Sequence, residues 1–111
     1  MKIPAGVVVA PDPLRRPVPA SAVRPTRYLV WQLCSRGPCV MIVEERSPGW
    51  WAVCRDGRCL NHAGVWEIEP APSQRTYSWL RGHRYADCDT ALQSAVLALP
   101  AVQAHAAGDH E

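Results

Sequence analysis

The chain has no phenylalanine, a single lysine (Lys2) among its 12 basic residues, and no apolar run long enough to span a bilayer. Each absence narrows the reading. Without Phe, the aromatic mass lies in five Trp and three Tyr, whose N–H and O–H groups need partners or water and suit half-buried positions and binding surfaces. The scarcity of Lys, Asn and Ile beside abundant Ala, Val, Pro and Arg reads as GC-rich coding, so arginine content alone does not point to nucleic acid. The apolar run from Ala5 to Ala10 stops at Pro11, too short for a signal peptide's apolar region or a membrane span. A cytoplasmic, reducing location is therefore expected. No Gly-rich phosphate loop, nucleophile elbow or pair of catalytic carboxylates is present, so any enzymatic chemistry would rest on the cysteines or on a metal.

A chain of 111 residues fits one domain. With loose ends the folded part is roughly 60 to 75 residues, a size at which one hydrophobic core is marginal without a metal or disulfide staple. Net charge is +2, spread as about +3 over residues 1–26, about +2 over 27–88 and about −3 over 89–111. Such mild polarity excludes a strongly basic nucleic-acid protein.

Residues 1–26 hold six of the 11 prolines. Because proline lacks the backbone N–H and biases its predecessor toward extended conformations, they read as a flexible arm. Residues 27–100 form the expected domain, and 101–111 a frayed helix end and tail. Strands are expected at Arg27–Leu33, Val40–Val43, Trp50–Cys54 and Val65–Glu69, with a fifth at Arg75–Leu80 that sets Tyr77 and Trp79 on one side. A helix start follows at Asp89 or Thr90, with Gln93 as capping-box partner, and Leu92, Val96 and Leu99 make an apolar stripe. Pro100 should end or kink that helix. The fold class expected is α+β: a small antiparallel sheet of four or five strands with one C-terminal helix.

The organising feature is a repeat. Trp31-Gln32-Leu33-Cys34-Ser35-Arg36-Gly37-Pro38-Cys39-Val40 aligns with Trp51-Ala52-Val53-Cys54-Arg55-Asp56-Gly57-Arg58-Cys59-Leu60 at an offset of twenty residues. Each copy reads as a β-hairpin flanked by two cysteines. Tetrahedral zinc needs four soft or borderline ligands, and two hairpin tips could supply Cys34, Cys39, Cys54 and Cys59. Over residues 31–62 this resembles the zinc ribbon, in which each of two hairpin knuckles donates a cysteine pair. The resemblance implies a Zn2+ clip across the two tips, here with four residues inside each knuckle instead of two. His62 is an alternative ligand, and a disulfide within each hairpin is the main competing account, since the residues flanking such a loop can reach disulfide separation. Cys88 stands apart as a structural thiol at the helix start.

Arg36, Arg55 and Arg58 fall on the loop tips, while Arg75, Arg81 and Arg84 flank Tyr77 and Trp79. Guanidiniums interleaved with rings can hold phosphates while the rings stack on bases. The expected function is a non-enzymatic zinc-stabilised binding module, with nucleic acid as first partner in a regulatory or mobile-element setting. Alternatives are a protein-interaction adaptor and a thiol redox or metal-sensing protein.

Overall fold

Alternating apolar and polar residues build six strands into one sheet. The computed structural model describes residues 3–11, 26–34 and 37–108, with the backbone alone for 101–108. Six strands follow one another in sequence order, each antiparallel to the next: β1 (Val7–Pro11), β2 (Arg27–Cys34), β3 (Gly37–Ser47), β4 (Trp50–Arg55), β5 (Arg58–Leu60) and β6 (Trp66–Ile68). After a 3-10 turn at Pro72–Gln74 come helix α1 (Tyr77–His83) and helix α2 (Cys88–Gly108).

This corrects the expected sheet of four or five strands with a single helix. Two strands are additional: β5 (Arg58–Leu60), the return strand of the second hairpin, and β1, which comes from the segment assigned to the proline-rich arm, where Val7, Val8 and Val9 pair with Gln32, Trp31 and Val30. Pro11 is tolerated because it ends an edge strand, where a missing N–H breaks no inner ladder. Residues 12–25, the rest of that arm, lie outside the described residues, as do residues 109–111 of the tail.

The second helix replaces the expected fifth strand. Thr76 caps α1, its hydroxyl accepting a hydrogen bond from the Trp79 N–H at 3.0 Å. Four residues apart on that helix, Trp79 and His83 stack with ring centroids 4.0 Å apart and planes at 6°. Tyr77 and Trp79 satisfy a period of two, but the cap and this four-residue pair match the helical repeat instead.

Register fixes the two faces of the sheet. Tyr28, Val30, Cys39, Met41, Val43, Trp51, Val53 and Leu60 occupy one face, which packs against Ala91, Leu92, Ala95, Val96 and Leu99 of α2. Alanines between the larger side chains let the helix approach closely. Its N-cap is Asp87, whose Oδ1 accepts from the Thr90 N–H at 2.7 Å. The cap thus precedes the expected Asp89 or Thr90, and the helix continues through Pro100.

Tyr85 closes the core's open side. Its backbone exchanges hydrogen bonds of 2.7 and 2.8 Å with Trp51, and its hydroxyl donates to the carbonyls of Leu60 and Asn61. No helix among the described residues is long and apolar enough to cross a membrane.

Because Val7 and Val9 pack against the core cluster, removing residues 1–11 should destabilise the domain by about 1–3 kcal/mol, as partial burial of two valines implies. Thermal unfolding checks this, and an unchanged midpoint would show that β1 contributes nothing.

Candidate thiol and metal centre

The two cysteine pairs do not converge. Cys54 lies directly across from Cys59, with Arg55 opposite Arg58 and the turn at Asp56-Gly57, where both residues have positive φ (51° and 75°). That is the conformation of a two-residue type I′ turn. In the first hairpin the pairing runs Gln32↔Cys39, Leu33↔Pro38 and Cys34↔Gly37, so Cys34 is diagonal to Cys39. Pro38 explains the difference. In a turn like the second one it would occupy the place of Arg58, whose N–H bonds the opposite strand, and proline has no N–H to give. With the turn one residue earlier the cross-strand pairing shifts by two residues, which leaves both cysteines on one face.

Cys34 and Cys39 point to the α2 side, where both join the core cluster or pack against it. Cys54 and Cys59 occupy the opposite face, because Cys54 pairs with Ile42, three residues past Cys39. The zinc clip expected across the two hairpin tips is therefore corrected: four thiols on two faces of one sheet cannot share a tetrahedral ion. Arg36 of the first tip lies outside the described residues.

Glu69 takes the position expected of further ligands. Its N–H bonds the Gly57 carbonyl at 3.1 Å, extending β6 beside the second hairpin, and its carboxylate comes within 4.8 Å of both Cys54 and Cys59 sulfurs. These three groups could hold a metal ion. The expected alternative ligand, His62, instead directs Nε2 to the Arg84 carbonyl at 2.6 Å and sits against the Tyr85 ring. Cys88 opens α2 and packs on the core.

Three guanidiniums surround Glu69: Arg46 at 3.2 Å, Arg84 at 3.1 Å and Arg75 at 3.3 Å. Arg46 lies on the face of Ile42 and Glu44, at a bulge where β3 carries one extra residue between Glu45 and Ser47. Its guanidinium also donates to Cys54 Sγ at 3.2 Å and pairs with Glu44 at 2.7 Å. Arg84 is only 4% exposed and lies 3.9 Å from Cys59 Sγ and 5.3 Å from the Trp79 ring.

The sulfurs of Cys54 and Cys59 are 3.5 Å apart. The hydrogen bond from Cys59, followed by the positive field of Arg46 and Arg84, lowers the Cys54 pKa to about 7 against the cost of burial. Cys59, as the donor of that bond and fully buried, is pushed upward. One thiolate and one thiol sharing a hydrogen bond is thus the state the surroundings favour. A divalent ion would require both thiols to ionise and would add its charge beside three guanidiniums, so arginine already supplies the countercharge that a metal would bring.

Of the expected partner surface, Arg75, Trp79 and Arg84 are drawn into this network and its stacking. Tyr77 and Arg58 are exposed, and so is Arg81, its guanidinium 5.8 Å from the Tyr77 ring; Arg55 is half-exposed. Arg46 and Glu69 are the members that sequence reasoning missed. Comparison with known proteins gives no matching family model, and neither a curated protein nor a solved structure matches.

Burial opposes ionisation of Glu69, but Arg46, Arg75 and Arg84 overcome it and hold its carboxyl below the usual range. A lowered folded pKa gives stability that is fully present above the ordinary glutamate value and is lost as pH falls through the folded one. Glu69→Gln should therefore cost about 2–3 kcal/mol at neutral pH and flatten the acid side of the stability profile. Urea unfolding across pH checks both, and an acid limb that keeps its slope in the variant would exclude Glu69 as its source.

Proposed function

We propose that the chain is a non-enzymatic, thiol-based redox-responsive module whose sensing pair is Cys54 and Cys59. The observation that carries this reading is the direct cross-strand opposition of a half-exposed thiol and a buried one, 3.5 Å apart, with Arg46 on the outer sulfur. Residues flanking a two-residue turn form a hydrogen-bonded pair, so the next pair outward, Cys54 and Cys59, is the close, non-hydrogen-bonded kind. Its Cα atoms approach to about 4.5 Å, within the span a disulfide bridges. Little backbone motion is needed.

The chemistry balances with a hydroperoxide as oxidant. The Cys54 thiolate attacks the terminal oxygen, the O–O bond breaks, and the departing oxygen leaves as water or alcohol after taking a proton. The resulting sulfenic acid is attacked by Cys59, an S–S bond forms, and a second water carries off the hydroxyl with the Cys59 proton. Loss of the thiolate then removes one of Arg46's partners. Glu69 and Arg84 connect that change to α1, whose Tyr77 and Arg81 face solvent as the partner-facing surface. The chain of ion pairs from Arg46 through Glu69 to Arg84 provides the coupling.

A second reading, favoured by the donor spacing at Cys54, Cys59 and Glu69, is Zn2+ held by these three groups in the reduced protein. One experiment separates the two. Reduced protein is exposed to stoichiometric hydrogen peroxide with and without Zn2+, and the products are identified by intact mass and alkylation. The redox reading predicts a Cys54–Cys59 disulfide that dithiothreitol reverses, at a rate Zn2+ changes little. Free thiols throughout, or irreversible sulfonic acid at Cys54, would overturn it. Strong protection by Zn2+ that Glu69→Gln abolishes would put the metal reading first.

A further inference from the structure

The thiols left over by this reading, Cys34 and Cys39, have their own geometry. They lie on the α2 face of the sheet, opposite the Cys54 site. Cys34 is half-exposed at the end of β2 and Cys39 is 5% exposed in the core. Both point to the same side because Cys39 pairs with Gln32, two residues before Cys34. The Cys34 S–H donates to the Gly37 carbonyl at 2.8 Å, and the two sulfurs are 2.6 Å apart.

We infer that Cys34 and Cys39 form a second dithiol–disulfide couple, independent of Cys54–Cys59, that staples the β2–β3 hairpin at its loop end on the helix-covered face. The observations supporting it are the diagonal placement on one face and the contact between the sulfurs. Burial raises the Cys39 thiol, so the order of events follows from exposure. Cys34 is reached first from solvent, and Cys39 resolves.

With a low-molecular-weight disulfide such as oxidised glutathione, the Cys34 thiolate attacks one sulfur and expels one glutathione thiolate. Cys39 then loses its proton to solvent and attacks Cys34 Sγ. The mixed disulfide breaks and the second glutathione thiolate leaves. The disulfide reagent takes up two electrons and the chain loses two hydrogens. The same end of the sheet then carries two couples of different character: one beside three guanidiniums, the other packed against the core under α2.

Arginine positions make the pairing directly readable. Trypsin cutting after Arg27, Arg36, Arg46, Arg55, Arg58 and Arg75 places the four cysteines in separate peptides: residues 28–36, 37–46, 47–55 and 59–75. Full-length protein is equilibrated with oxidised glutathione, blocked with iodoacetamide, digested without reduction and mapped by mass spectrometry. The expected result is a covalent link between peptides 28–36 and 37–46, retained in Cys54→Ser/Cys59→Ser protein, whose thermal midpoint should rise by several degrees on oxidation. Alkylated Cys34 and Cys39 under these conditions would overturn the inference, as would a link from either of them to peptide 47–55 or 59–75. Should the double variant not fold, the wild-type map decides alone. A link between 47–55 and 59–75 reports only on the proposed function, so the two ideas fail separately.

Discussion

Three guanidiniums meeting on the single carboxylate of Glu69 hold the outer face of this molecule together. Arg46 comes from the bulge of β3, Arg75 from the turn before α1 and Arg84 from the end of α1, so segments remote in sequence are tied to the edge of the second hairpin. An arginine as buried as Arg84 is tolerable only with such a partner, since an unpaired buried charge costs several kcal/mol. The network therefore does two things. It fixes α1 against the sheet, and it leaves an excess of positive charge beside two thiols.

The other constraint is the phase of the hairpins. Two copies of one sequence pattern turn one residue apart, because Pro38 cannot donate where Arg58 does, and the β3–β4 pairing sets Cys54 opposite Ile42, an odd number of residues past Cys39. Cysteine pairs that look equivalent on paper therefore face opposite sides of the sheet, one against a helix and the other against arginines. Chemistry follows environment. The pair beside the arginines gains a stabilised thiolate, while burial under α2 raises the Cys39 thiol.

Much of the sheet was legible because alternation is local. Strands β2 to β4 and β6 follow directly from their apolar and polar periods, and the stripe of Leu92, Val96 and Leu99 marks the face that α2 buries. β1 was hidden by its prolines, since three successive valines beside Pro11 look the same in an arm as in an edge strand. α1 was missed because Tyr77 and Trp79 fit both periods, and only the Thr76 cap with the Trp79–His83 spacing decides. The thiol centre needed tertiary information: Glu69 lies ten residues past Cys59, and Arg46 comes to it from the bulged end of β3. Two signals were nevertheless readable. Asp56-Gly57 is a type I′ turn sequence, and Pro38 forbids the same turn in the first hairpin.

The central claim is that arginine, not a metal, supplies the positive charge at Cys54. A pH titration of thiolate ultraviolet absorbance in the reduced, metal-free protein tests it most directly, with Arg46→Met alongside. The account predicts one thiolate appearing near pH 7 in the wild type and moving upward when Arg46 is removed. If every cysteine instead titrates at or above the ordinary value of about 8.5 in both proteins, the claim is contradicted.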